Sequence, residues 1–249
     1  MMNFYIFSNG VDQVKELEEH GYSGALFTYN IGQGDYFTQI ARNIVVGNSF
    51  KYMVAVRPHA ISPQYLCMIN NSIRKIDPNR LQINFITGWL KDNEKEFGGI
   101  LGEVNDLSSN IDRSNYLIKY IDELEKLNAK IPDYYISSTN NFVFDAAVQH
   151  NSKIIIPYSQ YKQNKYNLKD KKIMMSLGVV LRETKEELLK LRKTNKVSET
   201  EYFTYNKFND FINEIKNIGI NEIMLHSWSA EERKIINNFV KQYKEKELQ

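Results

Sequence analysis

The fold is decided between Lys51 and Thr87, KYMVAVRPHAISPQYLCMINNSIRKIDPNRLQINFIT. Lys51–Val56 is a short, mostly apolar run that continues into Arg57-Pro58-His59. Bounded by turn residues, such a run reads as a buried strand. Ser62 can cap a helix with its hydroxyl, and Pro63 suits a first helical turn because its missing N–H is not needed there. From Pro63 to about Ile76 the spacing of Leu66, Ile69 and Ile73 lays apolar side chains along one helical face. Asp77-Pro78-Asn79 is a turn, and Leu81–Thr87 is the next strand. Strand, helix and strand in this order make a parallel βαβ unit.

The same alternation continues in both directions. Before it come a strand at Asn3–Phe7, a helix at Val11–Glu19, a strand at Ala25–Thr28 and a helix at Asp35–Val45 with Asp35 as its cap. After it come a long loop at Gly88–Asn110, containing Trp89 and Phe97-Gly98-Gly99, and a helix at Asp112–Leu127. A fifth strand at Pro132–Ile136 leads to a helix at Asn141–His150, and a sixth at Lys153–Pro157 is followed by Tyr158–Lys171, which has no helical pattern. Ile173–Leu181 and Asn221–Leu225 are strands seven and eight, with helices at Thr184–Lys193, Lys207–Asn217 and Ser229–Lys244. Eight strands in 249 residues predict an α/β chain folded as one (β/α)₈ TIM barrel over 1–249. Such barrels take roughly 250 residues. The sixth βα unit is abbreviated.

Composition narrows the function. The 32 basic and 30 acidic residues nearly cancel, so the basic excess of a nucleic-acid binder is missing. The single cysteine, Cys67, excludes an internal disulfide. The histidines at 20, 59, 150 and 226 lack metal-ligand spacing. No apolar run approaches the ~20 residues of a membrane span, and the start, MMNFYIFSNG, lacks the features of a signal peptide. The expectation is a cytoplasmic protein with neither a nucleic-acid nor a membrane partner. No GxGxxG fingerprint follows a strand, and no P-loop lysine motif is present.

In such a barrel the site lies at the C-terminal ends of the strands. Arg57 there can hold an anionic group, or pair with Glu94 or Glu103. His59 is a proton donor or a polar loop residue. Asn84, polar inside a strand, either bonds a neighbouring strand or contacts a ligand, because a buried amide needs partners. Ser137, Ser138, Thr139 and Asn140 precede a helix, where free N–H groups and the dipole suit a phosphate, or simply cap it. Arg113 reaches over the site or is solvated on its helix. His226 is the best-placed histidine, able to donate from a neutral imidazole.

The segment Met53–Trp89 resembles the flavin-dependent monooxygenases of the bacterial-luciferase and alkanesulfonate-monooxygenase family. Val54-Ala55-Val56-Arg57-Pro58, Ser62-Pro63, Asn79-Arg80-Leu81, Asn84 and Thr87-Gly88 carry the likeness, with Phe97-Gly98-Gly99 and Asp112-Arg113 after them. The resemblance implies a compact member of that family, without the long insertion before strand eight that covers the site in relatives. It implies reduced FMN as cosubstrate, supplied by a separate flavin reductase, and oxygenation of a small organic substrate by dioxygen. It places Asn84 and Thr87 beside the flavin, Ser138, Thr139 and Asn140 at its phosphate, and Arg57, His59 or His226 at the substrate. It implies a homodimer, or a heterodimer with a homologous subunit. Ser137 and Ser138 stand where the family has glycines, Asn110 replaces its histidine, and Arg113-Ser114 replaces its Arg-Tyr. An FMN-binding protein without oxygenase activity and a non-catalytic subunit of a heteromer are the alternatives.

Overall fold

A computed structural model describes residues 1–8, 10–29, 34–45, 49–88, 109–127, 134–138, 140–163, 171–194 and 200–247. The predicted βαβ unit is present at its predicted bounds, apart from the last residue of its second strand. β3 (Lys51–Val56) leads to α3 (Pro63–Ile76) and then to β4 (Leu81–Ile86). The Ser62 hydroxyl accepts from the Tyr65 N–H at 3.2 Å, with Pro63 opening the helix. Leu66 and Ile73 are fully or almost fully buried beneath it. Burial of such a side chain stabilises by about 1.5–3 kcal/mol. The remaining strands are β1 (Asn3–Ser8), β2 (Gly24–Phe27), β5 (Tyr134–Ser137), β6 (Lys153–Pro157), β7 (Lys172–Arg182), β8 (Thr200–Thr204) and β9 (Glu222–His226). The other helices are α1 (Val14–Glu19), α2 (Tyr36–Asn43), α4 (Asn110–Lys126), α5 (Asn141–Gln149), α6 (Tyr158–Lys162), α7 (Lys185–Thr194), α8 (Tyr205–Asn217) and α9 (Ala230–Glu247).

Eight strands close a parallel ring in the order β1 to β7, then β9 back to β1. This is the expected TIM barrel. β8 lies outside the ring. It pairs in parallel with Gly178–Arg182 of β7, beyond the stretch Lys172–Ser176 that pairs with β6. The sequence reading had no strand at 200–204. The sixth unit, whose crossover helix was expected to be absent or very short, carries among its described residues the short helix α6.

Alternation along each strand separates two cores. Phe4, Ile6, Val54 and Ile83 face the surrounding helices. Tyr5, Leu26, Met53, Ala55, Ile155 and Met224 fill the barrel itself. Gly24 has no side chain for a local reason. A Cβ there would stand 2.6 Å from the Lys51 carbonyl oxygen and 2.6 Å from the Tyr5 ring. The N-terminal end of the barrel is closed by charge. Lys153 Nζ donates to Glu222 at 2.7 Å and to the Tyr135 hydroxyl at 3.2 Å, while Gln82 also donates to that hydroxyl at 3.3 Å. Burial, with Tyr5 and Glu222 nearby, pushes the Tyr135 phenol far above its ordinary pKa, so it stays protonated and donates to Glu222.

Among the described residues no helix is long and apolar enough to cross a membrane.

Candidate active site

Among the described residues, the C-terminal end of the barrel contains a cavity of about 360 Å³. Its walls are largely apolar, from Phe7, Leu26, Ala55, Ile86, Ile155 and Met224, with polar groups from Asn84, Ser137, Ser138 and Arg57 and, around the rim, Thr28, Gln160 and Ser176. Few polar groups on an apolar ground is the usual make-up of a small-molecule site, and ~300–1,000 Å³ is its usual size.

Asn84 is almost fully buried, and its Oδ1 accepts from the Ser137 hydroxyl at 3.0 Å. Both alternatives read for Asn84 therefore meet in one residue, a bond to the neighbouring strand and a place in the cavity wall. Thr87 follows β4 directly. Its hydroxyl donates to Ser138 Oγ at 3.1 Å and its N–H to the Ser137 carbonyl at 3.3 Å. Ser138 Oγ also accepts from the Asn140 N–H at 3.2 Å. These bonds continue the β4–β5 pairing past the ends of the strands and hold the approach to α5 in place.

Asn140 turns away from the cavity. Its Nδ2 donates to the Asn110 carbonyl at 3.2 Å and to Ser114 Oγ at 2.7 Å, tying the start of α5 to α4. Both amide hydrogens are thereby committed, so among the described residues of this segment the backbone N–H groups of the α5 N-terminus and the Ser138 hydroxyl suit a phosphate. Thr139 lies outside the described residues, as do Trp89 and Phe97-Gly98-Gly99.

Arg57 is 6% exposed. It leaves β3 with extended backbone and precedes the 3₁₀ turn Pro58–Ala60. Its Nη1 donates to the Gly88 carbonyl at 3.0 Å, and its guanidinium carbon stands 6.0 Å from the Tyr29 ring centre. His59, within that turn, borders neither the mouth cavity nor its neighbour. A second cavity, of about 740 Å³, opens between α2 and α3 and shares Tyr29, Ala55 and Arg57 with the first.

His226 ends β9, packed edge-on between Phe7 at 5.3 Å and Trp228 at 5.7 Å. Phe7 lines the mouth cavity, so the imidazole sits one ring back from it. Burial lowers the His226 pKa, because an imidazolium loses hydration there. The neutral form predominates at neutral pH.

Arg113, read as reaching over the site or solvated on its helix, is buried, and its Nε donates to the Thr87 carbonyl at the end of β4 at 2.8 Å, so it is not solvated. Its burial follows from lying on the inner face of α4 with Leu117 and Tyr120. Ser176 and Gln160 line the mouth. Ser176 was legible from its parity with Met174 in β7. Gln160 was not, because α6 lacks a sequence signal.

Solved structures similar to this one include apo-MsnO8, at TM-score 0.71 and 10% identity over 98% of this chain and 97% of that one, and several named as enzymes. An F420-dependent secondary alcohol dehydrogenase, in complex with an F420-acetone adduct, matches at TM-score 0.67 and 10% identity over 98% of this chain and 97% of that one. The long-chain alkane monooxygenase LadA matches at 0.67 and 9% identity, over 98% and 91%. The EDTA monooxygenase EmoA from Chelativorans sp. BNC1 matches at 0.67 and 7% identity, over 97% and 93%. The fold they share with this chain is the (β/α)₈ barrel. At these identities the likeness is one of fold. No family model and no curated protein matches the sequence. The mouth cavity lies where TIM barrels place their chemistry, at the C-terminal ends of the strands.

Proposed function

We propose that this chain is an oxidoreductase that takes reduced FMN into the barrel mouth and uses dioxygen to oxygenate a small organic substrate. The mouth cavity carries the reading: an apolar slot closed at its polar side by the Asn84–Ser137 and Thr87–Ser138 pairs. A flavin fits that chemistry, because its flat ring needs apolar faces and its ring edge needs hydrogen-bonding groups. Ser137 fixes the Asn84 amide oxygen, which leaves the NH₂ for a ring carbonyl. Ser138 and the N-terminus of α5 would hold the phosphate, with Thr139 in the same segment. When bound, the reduced ring supplies the electrons that activate dioxygen.

The chain's own residues do the rest. Phe7, Leu26, Ile86 and Met224 exclude water from the reacting atoms. Arg57 orients the substrate. His226, neutral through burial, offers one N–H and one acceptor at the rim. A separate reductase supplies the flavin, and the working form is a homodimer, or a heterodimer with a homologous subunit.

Anaerobic titration with reduced FMN, followed by rapid mixing with oxygen, tests the reading. Expected is saturable binding and a flavin–oxygen spectral transient that decays faster when substrate is present. No binding, or simple reoxidation unaffected by a broad substrate panel, refutes the monooxygenase reading. The deazaflavin F420 is the second reading, favoured by the F420-dependent dehydrogenase among the similar folds. Binding of reduced F420 without binding of FMN would establish it as the cofactor, with hydride transfer in place of oxygenation.

A further inference from the structure

His226 does not line the mouth cavity, but a smaller chamber joins the two. β6 pairs with β7 as far as Pro157 and Ser176, and β8 pairs with it from Gly178 onward. Where one strand gives way to the other lies a chamber of about 20 Å³. Its walls include Ser159 of α6, Ser176 and Gly178 of β7, Glu201 of β8 and His226 of β9. Ser176 lines the mouth as well. In the β7–β9 register Ser176 stands opposite Met224, and Gly178 opposite His226. The four share the sheet face of Met224, which looks into the barrel. Ser176 and His226 are diagonal neighbours on it. Strands lie about 4.8 Å apart and rise about 3.3 Å per residue, which sets such diagonal Cα atoms about 8 Å apart. A short serine hydroxyl and an imidazole across that gap meet through a water.

The chamber suits one water, which needs roughly 10–15 Å³ and two to four polar partners. Among the described residues, the Ser159 and Ser176 hydroxyls and the His226 ring nitrogens make no hydrogen bond to the protein. Gly178 leaves the space open, because any other residue would put a Cβ beside His226 on that face. The charges nearby are satisfied elsewhere. Glu201 pairs with Lys162 of α6 at 2.8 Å, and that ammonium lies 4.8 Å from the Tyr158 ring centre. Arg182, at the end of β7, donates to Glu232 of α9 at 2.9 Å, with Glu231 next to it in the first turn. Burial raises the Tyr158 pKa, so the phenol is neutral. Of these groups it is the imidazole that changes charge near neutral pH.

We propose that this chamber holds one ordered water, and that Ser176, the water and His226 form a proton path between the mouth and the imidazole. This rests on the reading of the mouth as the reaction site. Ser176 touches the reacting molecule, and His226 acts through it. A group in the mouth gives its proton to the Ser176 oxygen, Ser176 passes its own proton to the water, and the water passes one to the unprotonated ring nitrogen. One bond to hydrogen breaks in the mouth and one N–H forms on His226, while serine and water end as they began. The reverse sequence delivers a proton. The path serves oxygenation and hydride transfer alike, since it moves a proton and no electrons. β8, the strand outside the ring, closes the chamber on the side that β6 leaves.

Nuclear magnetic resonance of the ¹⁵N-labelled intact chain, with nothing bound, tests this. His226→Gln identifies the ring signals. In the wild type the ring protons should show an Overhauser contact to a long-lived water. Gly178→Ala, whose methyl fills the chamber and lies outside the mouth wall, should remove that contact and lower the His226 midpoint by about half a unit, because the imidazolium loses its remaining hydration. Ser176→Ala should keep the water but slow exchange of the ring N–H with solvent by about a hundredfold, the scale of a positioned proton-transfer group. Ser176→Thr, which retains the hydroxyl, should restore it. Melting curves establish that each variant is folded. No water contact in the wild type, or a midpoint unmoved in Gly178→Ala, would overturn the chamber. Exchange unchanged in Ser176→Ala would overturn the path. With reduced FMN bound, reoxidation by oxygen should depend on pH with the His226 midpoint, and Ser176→Ala should lose that dependence. Failure of reduced FMN to bind, with the water contact and the slowed exchange both present, would sink the cofactor reading and leave the path standing.

Discussion

Arg80→Met should destabilise the barrel by about 3–5 kcal/mol, comparable to breaking other buried charged contacts. Arg80 is 3% exposed and stands immediately before β4. Its Nε donates to the Phe50 carbonyl at 2.9 Å and its Nη1 to the Ile44 carbonyl at 2.6 Å, while Nη2 reaches the Tyr52 hydroxyl at 3.3 Å. The guanidinium also lies 5.1 Å from the Tyr52 ring centre. One side chain thus ties the residue after α2, the entry to β3 and β3 itself to the start of β4. The two shorter bonds involve a charged donor and are each worth roughly 1.5–3 kcal/mol. The methionine would leave two buried carbonyls without those donors, which costs about 1–3 kcal/mol each. Removing a buried charge returns several kcal/mol of desolvation. Arg80→Lys keeps the charge but not the fork, and should lose about half as much. Urea unfolding followed by far-ultraviolet circular dichroism measures both. A loss below about 1 kcal/mol for Arg80→Met would refute this account of the guanidinium as a three-way tie.

Three further outcomes are expected. Thr87→Val keeps the side-chain shape and deletes the bond to Ser138, so it should cost about 1–2 kcal/mol in a urea melt and weaken reduced-flavin binding in the same titration used above. Glu222→Leu leaves Lys153 at the barrel floor without its counter-charge and should cost about 2–4 kcal/mol. Adding Lys153→Met should restore most of this, and a double-mutant cycle with purely additive losses would contradict the pairing. The third outcome concerns pH. Burial depresses the folded pKa of His226 below its ordinary value of 6.5, so the unfolded chain binds more protons in that window and stability rises with pH there. The contribution is complete above about pH 6.5 and is lost as the pH falls through the lower, folded value. His226→Gln should flatten that part of the stability–pH profile, and an unchanged slope between pH 5 and 7 would count against a buried neutral imidazole.

Much of the barrel was legible because local and global signals agree along the chain. Lys51–Val56 and Lys153–Pro157 have their predicted ends. Asp35 and Ser62 cap the helices they were expected to cap. β8 escaped notice for a physical reason. Its residues, TEYFT, are all half-buried, and the strand is set by the free upper edge of β7 more than by its own pattern. α6 is too short for helical periodicity to register. At the mouth, strand-end placement put Arg57, Asn84 and Ser138 in the cavity wall and Thr87 against Ser138. The direction in which each side chain turns was not readable. The Asn140 amide faces α4, and Arg113 is drawn inward onto the Thr87 carbonyl. Such details depend on which polar groups meet across 26 or more positions of chain, and no local pattern contains them.

The charged floor has a consequence for how this chain can change over generations. Lys153 and Glu222 are 69 positions apart, yet neither can be replaced singly without leaving a charge or a Tyr135 hydroxyl poorly matched inside the barrel. Drift at the floor therefore passes through a weakened intermediate or requires two substitutions together. In an alignment of close relatives these two positions should vary as a pair, while the helix surfaces around them vary one residue at a time.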